Sequence, residues 1–237
     1  MKPVFLNFYR ILTTNSTHDN NYTYYGRYKN TREAAWSIIL EHGITTLPIP
    51  VTGLAVAMGV FVISYEKADS IIDFWGFRRW QNSSDAFTAK IDGKWFVFFD
   101  DTIPDSAIRF AIAHELAHYL LGHEKKTEIH PQETKLALAA NSAVVFLRSN
   151  TPRKDWLESE ADTFARRLLA PACVLWALDI HHPQDIADLC GIPLREAVHR
   201  AKRMKILHER KKFLSSDTEQ KVYAQFLPFI HKQKGSI

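Results

Sequence analysis

The sequence predicts an α+β protein in which a small, mostly antiparallel sheet supports an H-E-x-x-H helix and a small helical domain follows. The first observation is the dipeptide Asp92-Gly93 between two apolar runs, a strong hairpin signal. The second is the segment 110–121, FAIAHELAHYLL, which is apolar on nearly every side and therefore predicts a buried helix. The third is a helical, basic pattern that begins near residue 173. With 237 residues and 46% hydrophobic content, the chain can form a core without disulfides.

The first third of the chain mixes helical and extended patterns. Residues 1–30 are polar and aromatic without a helical or strand period, which indicates an N-terminal arm. A helix is predicted from Thr31, a plausible N-cap, to Gly43. A short helix follows over 51–59, and the β-branched run 60–65 predicts a strand.

The middle of the chain holds the clearest signals. The hairpin should pair two strands around Asp92-Gly93, and we expect it to offer an edge strand to an extended substrate. A helix should then start near Asp105, as N-cap, and end at Gly122. Residues 124–154 read as a polar opening, a helical stretch near ETKLALAANSAVVFL and a loop, and could form a lid. A second strong helix is predicted from Trp156 to Leu169.

The buried helix carries the chemistry. His114 and His118 lie four residues apart, so both imidazoles share one helix face and can reach the same metal ion. Glu115 is rotated by about 100° from His114, which suits a catalytic carboxylate better than a third ligand. This H-E-x-x-H arrangement is typical of zinc peptidases.

A third metal ligand is predicted about 40 residues downstream. In ESEADTFARRLLAP, Glu158 and Asp162 are four apart on an amphipathic helix. Glu158 is placed as the third protein ligand, which would leave one coordination position for water. Asp162 is placed to accept the free ring N–H of a ligating histidine and so fix its tautomer.

The two motifs together resemble the gluzincin group of zinc metallopeptidases, and more closely the ImmA/IrrE family of metallo-endopeptidases. The supporting stretches are FAIAHELAHYLLGH, ESEADTFARRLLAP, and the preceding REAAWSIILEHGITTLPIP, LAVAMGV and DGKWFVFFDD. The resemblance implies a zincin-like domain with one Zn²⁺ per chain and a protein substrate, a helix-turn-helix repressor or antitoxin. It also implies the roles of His114, His118 and Glu158 as ligands and of Glu115 as catalytic residue. His123 and Tyr119 are candidates for contact with the substrate or the transition state.

The C-terminal part supports a different hypothesis. DIADLCGIPLREAVHRA reads as helix, glycine-containing turn and helix. A basic stretch follows, with Arg200, Lys202, Arg203, Lys205, Arg210, Lys211 and Lys212. The alternative is therefore a DNA-binding regulator that uses this segment, with a structural or regulatory zinc site.

Composition and patterning also set the expected organisation. We predict an N-terminal arm at 1–30, a zinc metallopeptidase domain at 31–172 and a helical C-terminal domain at 173–237. The two cysteines lack CxxC spacing, and the chain has no signal-peptide pattern and no apolar run of about 20 residues. These features favour a cytoplasmic protein without a membrane partner.

Overall fold

The computed structural model describes residues 31–123, 143–145 and 152–235, with the backbone alone for 143–145 and 152–155. The predicted arm at 1–30 and most of the segment 124–154 lie outside the described residues. Within them, the order of helices and strands is α1 Thr31–Glu41, α2 Val51–Ala57, β1 Val60–Ser64, α3 Tyr65–Phe74, α4 Arg78–Gln81, β2 Ala86–Ile91, β3 Lys94–Phe99, α5 Asp105–Leu121, β4 Ala143–Val145, α6 Pro152–Leu169, α7 Ala172–Ala177, α8 Pro183–Cys190, α9 Leu194–Glu209 and α10 Asp217–Lys234.

The four strands form one sheet in the order β1-β3-β2-β4. β1 runs parallel to β3, whereas β2 is antiparallel to both β3 and β4, so the predicted mostly antiparallel sheet is confirmed. The hairpin is also confirmed: Asp92 and Gly93 both have positive φ, at 48° and 78°, as a tight two-residue turn requires. The strand β3 does not offer an edge to a substrate, because it lies between β1 and β2 and its backbone is paired on both sides. The other hairpin strand, β2, pairs with β4 at Ala89–Ile91 within the described residues, so an edge on the hairpin stays a prediction.

Alternate residues of β3 enter two different cores. Trp95 and Val97 join the main core, between the sheet and the helices. Phe96 and Phe98 face a smaller aromatic cluster, which α3 and the α3–α4 region cover. The period-2 alternation of a strand explains why a continuous apolar run supplies both cores.

The H-E-x-x-H segment lies on α5, in the centre of the main core. All ten residues from Ile112 to Leu121 are buried, as the apolar sequence predicted. The helix begins at Asp105, and its N-cap is Pro104, one residue earlier than the expected cap. It packs against α6 and β2, and these two elements complete the site.

The strand β4 departs from the sequence prediction, whereas the segment of α8 and α9 agrees with it. The strand β4 lies inside the stretch predicted to be helical, because its Val144 backbone pairs with Lys90 of β2 and a β-branched pair fits a sheet. The predicted helix, turn and helix appear as α8, Gly191 and α9.

The C-terminal helices contribute to the same core as the first part of the chain. Ala197, Met204, Val222 and Phe226 are buried in the main core together with residues of α1 and α5. Both cysteines are free and buried. None of the helices in the described part has the length and apolar character that crossing a membrane requires.

Candidate metal centre

His114 and His118 present their imidazole rings side by side on α5. Their ring centroids are 4.9 Å apart, and their Nε2 atoms approach to 3.1 Å. Both residues are buried, at 5% and 6% exposure. Burial of two imidazoles with converging nitrogens is costly unless a partner satisfies them.

Glu158 approaches the same point from α6. Its Oε2 lies 3.1 Å from Nε2 of His114, and its Oε1 lies 3.6 Å from Nε2 of His118. In a tetrahedral zinc site with bonds of about 2.0–2.1 Å, neighbouring ligand atoms are separated by about 3.3 Å. The three separations are close to that edge length, so these side chains fit a single tetrahedral metal ion.

Glu115 lies next to this ligand set. His114, Glu115 and His118 each offer a donor atom, and these atoms lie within 4.8 Å of one another. The hydroxyl of Thr88, on β2, donates to Oε2 of Glu115 at 2.7 Å. Thr88 is fully buried and Glu115 is 4% exposed. The sheet therefore fixes the orientation of this carboxylate beside His114 and His118.

Asp162 holds the other nitrogen of His114. Its Oδ1 lies 2.9 Å from Nδ1 of His114, which is the contact predicted from the sequence. Arg166 donates to Asp162 Oδ2 at 3.1 Å and to Glu196 at 2.5 Å, so the carboxylate is itself held. A proton on Nδ1 leaves Nε2 of His114 to face the metal position.

The same carboxylates change the protonation of His114 in the metal-free protein. Burial lowers the pKa of His114, but hydrogen bonds to Asp162 and Glu158 outweigh it and raise the pKa to about 9. Burial raises the pKa of Asp162, and its bonds to His114 and Arg166 hold it below its usual range. Without a metal, His114 is therefore protonated at neutral pH.

His123 lies beside the Nδ1 side of His118. Its Nδ1 is 2.7 Å from Nδ1 of His118, and its Nε2 is 3.3 Å from Oε2 of Glu160 on α6. Gly122 ends α5 with φ of 67°, a left-handed conformation that turns the chain back and buries His123 completely. We refer to His118, His123 and Glu160 as the histidine chain.

The histidine chain has a defined proton arrangement when Nε2 of His118 faces a metal. The proton of His118 is then on Nδ1, which donates to Nδ1 of His123. The proton of His123 is in turn on Nε2, which lies 3.3 Å from Oε2 of Glu160, although the two atoms do not form a hydrogen bond. The reversal at Gly122 points His123 at the Nδ1 side of His118, and a contact of His123 with substrate stays a prediction.

Tyr119 is buried at 7% exposure and belongs to the main core. Its ring packs against Trp95 of β3, with centroids 5.2 Å apart. This contact connects the H-E-x-x-H helix to the centre of the sheet.

Two residues that contact the candidate site, Thr88 and Glu160, were not predicted from the sequence. Thr88 is a β-branched residue in a strand, and nothing in FTAKI marks its hydroxyl as functional. Glu160 stands between Glu158 and Asp162 and looks like part of an acidic face. The signal that could have found it is His123, which needs a buried partner after the helix ends.

The comparison with protein families agrees with this geometry. Residues 77–202, more than half of the chain, match the Peptidase M78 family, described as the IrrE N-terminal-like domain. The chain belongs to this family. As a Peptidase M78 member it is a metallopeptidase, and the match spans both motif helices and extends into α9. No curated protein and no solved structure matches the chain.

Proposed function

We propose that this Peptidase M78 member is a zinc-dependent endopeptidase that hydrolyses a peptide bond in a protein substrate. The observation that carries the proposal is the convergence of Nε2 of His114, Nε2 of His118 and the Glu158 carboxylate, at 3.1–3.6 Å from one another. Two imidazoles and one carboxylate are a typical protein ligand set for catalytic zinc. A bound zinc ion would polarise the scissile carbonyl and make a water molecule more acidic.

The residues of this chain divide the remaining work. His114, His118 and Glu158 hold the ion, and Asp162 and the histidine chain orient the two imidazoles. Glu115 accepts the proton of the attacking water and delivers it to the leaving amine. Thr88 holds Glu115 in the orientation that this transfer requires.

The proposed substrate is a helix-turn-helix repressor or antitoxin. The support is the resemblance of both zinc motifs to ImmA/IrrE endopeptidases. The proposed metal position on α5 is buried between β2 and α6. A protein substrate can therefore reach it only through an accessible segment.

The test compares new protein N-termini in cells that produce the wild type with those in cells that produce the Glu115→Gln variant. Gln keeps the size of the side chain but cannot accept a proton. We expect cleavage of one or a few proteins by the wild type alone, with equal zinc content in both proteins. Identical sets of N-termini in the two kinds of cells would contradict the proposal, whether both proteins cleave or neither does.

A second candidate is DNA binding by α8 and α9. The observation in its favour is the helix-turn-helix arrangement, with exposed Lys202 and Lys205 on α9. Binding to duplex DNA that weakens steeply with salt, and that Lys202→Gln with Lys205→Gln abolishes, would support it. Absence of binding at low salt would remove it.

A further inference from the structure

A cavity of about 400 Å³ lies among α1, α6, the start of α7, α9 and the start of α10. Helix α6 also carries Glu158, but none of the described residues that line the cavity is a candidate metal ligand. Among the described residues, its charged lining consists of five basic side chains and one carboxylate: Arg32, Arg167, Arg200, Arg203, Lys212 and Glu219. The formal charge of the lining is therefore strongly positive. Its volume falls within the range of roughly 300–1,000 Å³ that is usual for small-ligand sites.

The basic residues extend from the interior to the surface. Arg200 is 5% exposed, and its Nε donates to the carbonyl oxygen of Ala170 at 2.5 Å. Arg167 is half-buried and donates to the hydroxyl of Thr31. Arg203 and Lys212 are exposed at the mouth. The cavity is thus lined by basic groups from its buried end, where a hydrogen bond holds the guanidinium of Arg200, to its exposed end.

Four of these five cations have no carboxylate partner in the part of the chain that the structure describes. Within that part, Arg167, Arg200, Arg203 and Lys212 have no carboxylate oxygen within 4.0 Å. Glu219 faces Arg32 and Arg200, and its Oε2 accepts from the backbone N–H of Ser215 at 3.2 Å. Arg200 is buried and Arg167 half-buried without an ion-pair partner among the described residues, an arrangement that a bound anion would stabilise.

The pKa values of the two inner guanidinium groups, Arg167 and Arg200, are lowered. Burial, followed by repulsion from neighbouring arginines, lowers the pKa of Arg167 to about 10. Burial, followed by repulsion from Arg167, lowers the pKa of Arg200 to about 10. A negative group between them would offset the repulsion between the two guanidinium groups.

An independent observation points to the same ligand. Trp36 lines the cavity and is 4% exposed, and its indole N–H has no hydrogen-bond acceptor among the described residues. Buried indole N–H groups normally have an acceptor. An oxygen-rich anion would supply it.

We propose that this cavity binds a small phosphate-bearing anion with several negative charges, such as the diphosphate part of a nucleotide. Guanidinium groups match phosphate oxygens with paired hydrogen bonds, and several are present. Leu207 and the ring of Trp36 add apolar surface for an organic part. The proposal does not depend on the peptidase activity.

The test is isothermal titration calorimetry of the full chain with pyrophosphate and with ATP. The probe variant is Arg203→Gln with Lys212→Gln, because both residues are exposed and their loss should not prevent folding. The matched control is Arg195→Gln, also on α9, whose side chain is 84% exposed and does not line the cavity. Arg200→Gln is a second probe, provided that its circular dichroism is unchanged.

We expect the wild type and Arg195→Gln to bind pyrophosphate equally, and the double variant to bind it at least about tenfold more weakly. Removal of zinc by the anion would produce heat in all three proteins alike, so the difference between them isolates the cavity. Equal affinities in wild type and double variant, or no binding at low salt, would overturn the proposal. Binding of duplex DNA but not pyrophosphate through Arg203 and Lys212 would also overturn it.

Discussion

Zinc binding should displace a proton from His114, and the affinity should therefore rise with pH. In the metal-free protein the pKa of His114 is raised to about 9, whereas a ligating imidazole must be neutral at the nitrogen that faces the ion. Below pH 9 the proton competes with zinc. The affinity should increase as pH rises and become constant above about pH 9.

The magnitude follows from the pKa. At pH 7 a group of pKa about 9 is protonated in about 99 of 100 molecules, so the apparent affinity is about 100-fold lower than at high pH. Asp162→Asn removes one of the two carboxylates that raise the pKa of His114, which is 2.9 Å away. The variant should show a smaller rise between pH 7 and 9. Above pH 9 it should bind zinc about tenfold more weakly than the wild type, because the contact that fixes the tautomer is lost.

The assay is competition with a chromogenic zinc chelator between pH 6.5 and 9.5, corrected for the protonation of the chelator. The control is Asp188→Asn, an exposed carboxylate of α8, which should follow the wild-type curve. A wild-type affinity that is constant from pH 7 to 9 would refute the reasoning. An Asp162→Asn curve with the wild-type slope would refute the role of this carboxylate.

Two further predictions concern the surroundings of the site, and a third concerns the turn between α8 and α9. Thr88→Val should lower kcat by roughly 10- to 100-fold at unchanged zinc content, because a hydrogen bond to a charged group is lost. Thr88→Ser keeps the hydroxyl and should have a kcat close to that of the wild type. A kcat of Thr88→Val equal to that of the wild type would contradict the role of this hydroxyl. Glu160→Gln should weaken zinc binding several-fold, because Glu160 acts on His118 through the additional imidazole of His123. The effect should be smaller than that of Asp162→Asn, and chelator competition measures both. A larger effect for Glu160→Gln would contradict this order. Gly191→Ala should lower the free energy of unfolding by about 1–3 kcal/mol, since φ is +60° and the new Cβ would lie 2.9 Å from Nε of Arg109. Gly53→Ala, on a helix with open space around the Cβ, is the control, and equal urea midpoints for the two variants would contradict this account.

The sequence predicted those parts of the fold that depend on local pattern. The Asp92-Gly93 turn, the helix containing His114 and the helix containing Glu158 each follow from spacing and turn chemistry. Strand order does not. The position of β3 between β1 and β2 depends on a parallel pairing between distant segments, which an apolar run alone does not specify.

The site divides in the same way. Spacing of four residues predicted the shared faces of His114 with His118 and of Glu158 with Asp162, and the structure brings these side chains together. The roles of Thr88 and His123 depend on which segments meet in space. A hydroxyl 27 residues from its partner carboxylate leaves no periodic signal in the sequence.

The central claim is that α5 and α6 together hold one catalytic zinc ion. Elemental mass spectrometry of the purified protein tests it most directly, with wild type and Glu158→Ala each offered zinc and then passed through a desalting column. The account predicts one zinc per chain in the wild type and a large loss in the variant, because two imidazoles alone hold the ion weakly. A wild type without zinc would contradict the account, and so would a Glu158→Ala variant that retains zinc as firmly as the wild type.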